Sequence, residues 1–295
     1  MLDYHVHTTI RDGVHSIEEN VEYAIYKGFD EIGISEHWGI YAEDPSVYGE
    51  NVNFGEDNEE LKFKKISPFS LRGSLRQYFT YIDIAKEKYK DKILVKKGVE
   101  MDLYKCNLDY SYDFVRSFKP DYIIGSIHSF NEKGFHNCAS FETVTKEFFK
   151  ESLDANIGFV ETGKMDILGH PLLFRRNEFD GEEDINPYYE KLALACKENN
   201  IVPEINMGLF CGNHKLAGDL YFLKCCGENN VPVIVNSDAH NKHNIGNMFP
   251  YAFGLLEQAG VKLTAIFNGG VGEVVEIDYE KAFSHKWYPS LNVIW

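Results

Sequence analysis

The sequence lacks three features that would each have indicated a particular class of protein. It has no apolar run that approaches the ~20 residues of a membrane span. Its N-terminus begins with a strand-like segment that carries candidate ligands, so no signal peptide is expected. None of its six cysteines forms a Cys-x-x-Cys pair. We therefore expect buried or half-buried free thiols and a reducing, cytoplasmic setting.

Positive charge is also scarce. Lys and Arg number 30 against 46 Asp and Glu, which gives a net charge of −16. Such an acidic surface repels nucleic acids and anionic membranes, so neither is expected as a partner. A small phosphorylated substrate is still compatible with this charge, because a metal cluster reverses the sign of the field locally. The oligomeric state is left open.

What the sequence does contain is a recurring pattern of strand, turn and helix. Its 295 residues are 44% hydrophobic and 26% charged, which predicts a sizeable core. The strand-like runs are Met1–His7, Asp30–Ser35, Ile93–Val99, Tyr122–Ile127, Met165–Leu168, Ile201–Ile205 and Val231–Val235. The helix-like stretches are Ser16–Lys27, Leu75–Lys88, Phe141–Asn156, Pro187–Asn199 and Gly218–Asn229, and Ser16 with Glu19 has the pattern of a capping box.

This alternation predicts an α/β fold, either a parallel barrel or an open doubly wound sheet. We favour the barrel, because candidate ligands follow nearly every strand, and a barrel gathers its functional groups at the strand ends. One domain is expected to span residues 1–295. The long polar stretch 39–73 is a candidate lid, and the aromatic tail 277–295 is expected to pack on the barrel.

The ends of the strands carry the residues that predict chemistry. His5 and His7 alternate along a strand and so face the same side, which suits two imidazoles on one metal. His37 and Glu100 each follow an apolar strand, and a carboxylate such as Glu100 can bridge two metals. Taken singly, each has an ordinary structural alternative, such as a satisfied histidine or a helix cap.

The same position recurs on later strands, at His128, at His170, and at Asp238 with His240. Six of the seven predicted strands end in His, Asp or Glu, although the chain has only 11 histidines. Chance placement would rarely achieve this, so the joint pattern predicts a cluster of metals at one mouth of the barrel.

At this point the sequence resembles the polymerase and histidinol phosphatase (PHP) superfamily, over residues 1 to about 245. Glu36-His37, Gly169-His170 and Glu204-Ile205-Asn206 are most similar to its histidinol-phosphatase branch. The resemblance implies a distorted seven-stranded β/α barrel with three metals. The matching motifs are His5-x-His7, Glu36-His37, Gly98-Val99-Glu100, Gly125-Ser126-Ile127-His128, Gly169-His170-Pro171 and Ser237-Asp238-Ala239-His240.

The resemblance also implies which residues hold each metal. The first would take His5, His7, Glu100 and Asp238. The second would share Glu100 and add His128 and His170. The third would take His37 and His240 with a further ligand, for which Asp12 matches a family variant and His15 is the alternative. Zinc, iron and manganese all suit imidazole and carboxylate ligands. Of the histidines outside the motifs, His214 is the candidate for a substrate contact, whereas His136, His243 and His285 are expected in surface or loop roles.

Such a site implies hydrolysis of a small phosphomonoester. Divalent metals lower the pKa of bound water toward ~7 and neutralise charge on the phosphoryl group. Asp238 or His240 could give the leaving group its proton. Arg175 or Arg176 matches a phosphate-contacting position of the branch, and a guanidinium can clasp phosphate with two hydrogen bonds.

The chain departs from the branch after Asn206, where Leu209 and Phe210 replace a polar run that ends in arginine. Histidinol phosphate is therefore the first substrate to test, although a less polar leaving group is expected to fit better. One alternative is a phosphodiesterase or nuclease, which the acidic charge disfavours. A second is an amidohydrolase, which is disfavoured because Glu100 fills the bridging position. A third is a non-catalytic metal-binding regulatory module, which the complete ligand set disfavours.

Overall fold

Residues 1–38, 68–103, 108–130, 133–134, 144–175, 184–208 and 220–285 are described by the structure, a computed structural model. For residues 68–74, 129–130 and 133–134 only the backbone is described. Across these ranges, no helix combines the length and the apolar character needed to cross a membrane. Cys196 and Cys226 are buried free thiols, and Cys225 is buried as well.

Seven parallel strands form one sheet that curls into a nearly closed barrel, which confirms the predicted fold class. Between the last strand and the first, the His7 amide donates to the Ala239 carbonyl and the Ala239 amide to the His5 carbonyl, both at 3.0 Å. In sheet order the strands are β1 (Leu2–Asp3), β2 (Glu31–Trp38), β3 (Leu94–Asp102), β4 (Tyr122–Ser126), β7 (Ile167–Leu168), β8 (Val202–Asn206) and β9 (Ile234–Asn236).

Helices connect these strands and cover the outside of the barrel. The predicted capping box is present at the first helix, where the Ser16 hydroxyl accepts from the Glu19 amide at 3.2 Å and the Glu19 carboxylate accepts from the Ser16 amide at 3.0 Å. The helices are α1 (Ile17–Tyr26), α2 (Pro68–Tyr89), α3 (Leu108–Arg116), α4 (Lys146–Val160), α5 (Asn186–Asn199), α6 (Leu220–Asn229), α7 (Phe249–Gln258) and α8 (Tyr279–Ser284). A short hairpin, β5 (Ser129–Phe130) with β6 (Lys133–Gly134), follows β4.

The lower half of the barrel interior is filled by a ring of apolar side chains around Tyr122. The Tyr122 hydroxyl donates to the Tyr4 carbonyl at 2.5 Å, and the two rings stack at 5.0 Å. Gly33 and Gly98 make room for this ring, since a Cβ on either would stand 2.0 or 2.2 Å from it. Bulk at this level therefore closes the barrel below the strand ends.

A second hairpin, absent from our sequence prediction, seals the amino-terminal end of the strands. It consists of β10 (Leu263–Asn268) and β11 (Val271–Glu276), paired antiparallel. Phe267 packs against Tyr4 and Tyr122, and the Gly269 amide donates to the Asp121 carboxylate at 2.7 Å. The turn signal was readable, because the glycines after Asn268 supply the positive φ angles that such a tight turn requires.

Two predicted segments are only partly described. Residues 39–67 of the candidate lid lie outside the described ranges. Residues 68–73 belong to helix α2 and not to a loop. The start predicted for this helix, at Leu75, was therefore too late. Pro68 at the helix start is typical of this position. Of the tail, α8 lies against the barrel, where the Tyr279 hydroxyl donates to the Val261 carbonyl at 2.6 Å.

Substitution of Gly33 tests the packing of Tyr122. We expect Gly33→Ala to lower the free energy of unfolding by about 1–3 kcal/mol, because the added methyl overpacks the barrel, and Tyr122→Phe to restore part of that loss in the double variant. Gly158→Ala is the control, since Gly158 is exposed in α4 with nothing within 4 Å of a built Cβ. The control should stabilise by roughly 0.5–1 kcal/mol. Equal values for both variants in urea unfolding would contradict the proposed packing.

Candidate metal centre

The candidate ligands converge on the carboxyl-terminal mouth of the barrel. His37 near the end of β2 pairs in register with Glu100 near the end of β3. His5 and His7 follow β1, and His128 follows β4. Because parallel strands end at the same edge, residues far apart in the chain become neighbours there.

Glu100 stands at the centre of this group and is 1% exposed. Its two oxygens face different histidines, so one carboxylate contacts the whole inner wall of the mouth. The Oε1 atom lies 3.0 Å from His170 Nε2, 3.3 Å from His5 Nε2 and 3.3 Å from His128 Nε2, and the Oε2 atom lies 2.7 Å from His37 Nδ1 and 3.6 Å from His7 Nε2.

Asp238 approaches the first two histidines from the opposite side. Its Oδ1 atom lies 3.1 Å from His7 Nε2 and 3.5 Å from His5 Nε2. The backbone of Asp238 is left-handed, with φ +50°, as is that of His170, with φ +27°. Such strain in residues other than glycine is concentrated at functional sites.

A third group lies nearer the solvent. Asp12 Oδ2 is 3.3 Å from His37 Nε2 and 3.1 Å from His240 Nε2, and His7 lies beside them. His15 is placed elsewhere, with its Nδ1 accepting from the Lys242 amide at 3.3 Å. The structure therefore brings Asp12, and not His15, to the group predicted for the third metal.

Several buried atoms at this mouth have no hydrogen-bond partner among the described residues. They face one another and offer lone pairs or negative charge, which is the arrangement that a cation satisfies and that is otherwise costly to bury. Three triads or tetrads have ligand atoms within 4.8 Å of one another. The residues present therefore fit divalent metals. The unpartnered atoms are His5 Nε2, both ring nitrogens of His7, Glu100 Oε2, Asp238 Oδ1 and His170 Nδ1.

The electrostatics of the mouth favour positive charge at its centre. Burial alone would raise the pKa of Glu100, but His37, His5 and His128 outweigh it and hold that pKa well below its usual range. Burial alone would lower the pKa of His128, but Glu100 and Asp102 raise it to about 10. Burial and the neighbouring His37 lower the pKa of His7 to about 4. A metal would replace the protons that the carboxylates otherwise hold on the ring nitrogens.

Behind the ligands lies Glu204. It belongs to the motif Glu204-Ile205-Asn206, but it was not predicted as a residue of the site. Its Oε1 accepts from His5 Nδ1 and from Asn236 Nδ2, both at 2.8 Å. Its Oε2 accepts from the His170 amide at 2.9 Å and from Asn206 Nδ2 at 3.0 Å. A carboxylate that accepts the Nδ1 proton of His5 leaves Nε2 free to bind a metal.

Two further contacts of this kind were also missed. Asp102 lies 2.5 Å from His128 Nδ1, and Asn206 donates to Asp238 at 3.0 Å. The alternation of side chains along a strand could have predicted both residues. Asp102 lies on the same face of β3 as Glu100, and Asn206 lies on the same face of β8 as Glu204.

Of the residues predicted to contact the substrate, the structure describes only Arg175. Arg175 is buried at the end of the turn that follows His170, with its amide donating to the Leu172 carbonyl at 2.9 Å. It is therefore not a solvated surface charge. Arg176 and His214 lie outside the described residues, as do Leu209, Phe210 and His136.

The model of the PHP domain family matches residues 3–208. A probable phosphatase of Clostridium novyi is 24% identical over 84% of this chain and 82% of its own length. A histidinol-phosphatase of Lactococcus lactis is 27% identical over 71% of this chain and 72% of its own. The crystal structure of histidinol phosphate phosphatase from Lactococcus lactis, in complex with zinc, L-histidinol and phosphate, is 21% identical, with a TM-score of 0.69 over 92% of this chain and 98% of that one.

Fold and site together define a β/α barrel whose carboxyl-terminal mouth carries His, Asp and Glu groups that could bind metal ions. The match covers well over half of the chain, and the chain belongs to the PHP domain family. The resemblance seen in the motifs is thereby confirmed.

Glu100→Gln tests the central carboxylate. It keeps the shape but removes the charge that faces five histidines, so we expect loss of at least one metal per chain. Elemental analysis of the purified variant beside the wild type measures this. Full metal content in the variant would contradict a bridging role.

Glu204→Gln tests the residue behind the ligands. We expect metal affinity to fall about 10- to 100-fold, because the side-chain amide is a poorer acceptor for His5. Competition with a chromophoric chelator measures the affinity. Glu198→Gln is the control, an exposed glutamate on α5, and it should leave affinity unchanged. If Glu204→Gln and Glu198→Gln bind metal with equal affinity, Glu204 does not orient the ligands. A lower free energy of unfolding of Glu204→Gln in urea would then show that Glu204 only stabilises the fold.

Proposed function

We propose that the chain is a metal-dependent phosphatase of the histidinol-phosphatase type that hydrolyses a small phosphomonoester. The observation that carries the proposal is the buried Glu100, whose two oxygens lie within 3.6 Å of ring nitrogens of five histidines. A carboxylate in this position is built to be shared between metals. The naming of the relatives as phosphatases and histidinol-phosphatases supports the reaction class.

The proposed ligand sets follow the three groups of side chains at the mouth. His5, His7, Glu100 and Asp238 would hold the first metal. Two to three divalent ions per chain are proposed, with zinc favoured over iron or manganese by the zinc in the Lactococcus lactis structure. The remaining sets are Glu100 with His128 and His170, and Asp12 with His37 and His240.

Bound metals would supply a hydroxide nucleophile at neutral pH and would neutralise the phosphoryl oxygens. The protein's own part is to hold the ligands rigidly and to handle a proton. Asp238 is tied to Asn206, whereas the side chain of His240 is 41% exposed at the mouth. The more exposed His240 is better placed to pass a proton through water to a leaving alkoxide, and Asp238 is the alternative donor.

Phosphate recognition by Arg175 or Arg176 is the further part of the proposal. Arg175 is 4% exposed, and a guanidinium shielded from water makes stronger charge-assisted hydrogen bonds than a solvated one. The cytoplasmic setting expected from the sequence belongs to the proposal as well.

A panel of phosphomonoesters, phosphodiesters and amides, assayed with elemental analysis, tests this function. We expect hydrolysis of phosphomonoesters only, lost on chelation, and at least as fast on phenyl phosphate as on histidinol phosphate, because the sequence after Asn206 is apolar. Arg175→Ala should lower kcat/KM about 10- to 150-fold, equivalent to a charged hydrogen bond of ~1.5–3 kcal/mol, with metal content unchanged.

Two results would contradict it. Hydrolysis of diesters or amides alone would move the chain to another reaction class. A preference for histidinol phosphate of ~100-fold or more, about 2.7 kcal/mol, would show that the apolar segment does not set specificity. The matched variant Arg116→Ala, which instead removes an ion pair with Asp166 in the barrel wall, controls for general loss of stability.

A further inference from the structure

Asp3 is a buried carboxylate that belongs to none of the proposed ligand sets. It ends β1, two residues before His5, and it is fully shielded from solvent. Its Oδ1 accepts from the Ser237 amide at 3.0 Å, and its Oδ2 accepts from the Gly246 amide at 3.3 Å. The His5 amide also donates to Oδ1, at 3.4 Å. Asp3 therefore joins its own strand segment to a part of the chain that follows the last strand.

The two amides that Asp3 joins lie at the two ends of one loop. Residues 237–246 follow β9, and this loop carries both Asp238 and His240. One carboxylate thus holds the loop at its first residue, directly before Asp238, and again at its last. Because both ends are held at one point, the loop between them has fewer conformations open to it.

Asp238 needs such restraint, because its backbone is left-handed, with φ +50°. A residue other than glycine pays a free-energy cost for this conformation and keeps it only where the surrounding contacts impose it. The amides on both sides of Asp238 are fixed from the first strand segment. The Ser237 amide donates to Asp3, and the Ala239 amide donates to the His5 carbonyl at 3.0 Å. The segment that carries the first two candidate ligands therefore also holds the turn that carries Asp238.

The conformation of this turn decides where the Asp238 carboxylate points. Its Oδ1 lies 3.1 Å from His7 Nε2 and 3.5 Å from His5 Nε2. Its Oδ2 accepts from Asn206 Nδ2 at 3.0 Å. A change of the backbone at Asp238 would redirect its Cα–Cβ bond, and Oδ1 would move away from the two imidazoles.

We infer that Asp3 is a positioning residue for the first metal, because it holds Asp238 in the conformation that keeps Oδ1 beside both His5 and His7. Asp3 acts through the backbone before Asp238 and is not itself a ligand. The inference goes beyond the proposed function, since it concerns metal binding and stands whichever reaction the metals support.

Asp3→Asn tests the inference with almost no change in side-chain volume. In either orientation, the new NH₂ group would face a backbone N–H, so either the Ser237 or the Gly246 amide loses its acceptor. We expect the affinity for the most tightly bound zinc ion to fall about 10-fold or more, as when other residues that orient metal ligands are replaced. Competition with a chromophoric chelator measures this affinity.

Asp121→Asn is the matched control. Asp121 is 4% exposed and likewise accepts from two backbone amides, those of Lys97 at 2.8 Å and Gly269 at 2.7 Å, but at the amino-terminal end of the barrel. The control should lower the free energy of unfolding in urea, as Asp3→Asn does, and leave zinc affinity unchanged. Equal zinc affinity for the two variants would show that Asp3 contributes to folding alone and would overturn the inference.

A double variant tests whether Asp3 acts through Asp238. In an Asp238→Asn background, Asp3→Asn should lower zinc affinity no further, because the carboxylate that Asp3 positions is already lost. A further fall as large as the one in wild type would mean that Asp3 acts through another contact, and the inference would be wrong.

Asp3→Ser replaces Asp3→Asn in both measurements if the latter does not fold. The serine hydroxyl can accept from one amide without placing an NH₂ group against the other. Because it is too short to hold both ends of the loop, it should also lower zinc affinity, and wild-type affinity in this variant would contradict the inference.

Discussion

The contact between one carboxylate and five imidazoles is the constraint on which this protein depends. Glu100 lies at the centre of the barrel mouth with histidines from the ends of four other strands around it. Such a density of ligand atoms is unfavourable unless cations share it. The barrel provides the rigidity that keeps these atoms facing one another in spite of that cost.

The rest of the barrel can be understood as support for that contact. Below the ligands, Tyr122 and the glycines opposite it fill the interior, and the β10–β11 hairpin covers the far end. Behind the ligands, Glu204 joins His5 to the backbone of His170 through its two oxygens. The packed side chains below the ligands and the hydrogen bonds of Glu204 behind them restrict the movement of the ligands away from one another.

Sequence patterns predicted much of this because the information was local. Alternation along a strand puts His5 and His7 on one face, and a capping box marks the start of α1. The β10–β11 hairpin was missed although its Asn-Gly-Gly turn is a readable signal. The start of α2 was set too late because its first turns carry little hydrophobic periodicity. Neither error affects the mouth of the barrel.

By itself, the sequence determined the residue types at the strand ends, and so the kind of chemistry, since ligand identity is a property of single residues. Only the tertiary structure decided which of them meet. The choice of Asp12 over His15 beside His37 depends on how the loop after β1 folds back against the segment that follows β9. The four hydrogen bonds of Glu204 likewise depend on the tertiary arrangement of neighbouring strands, which no local pattern encodes.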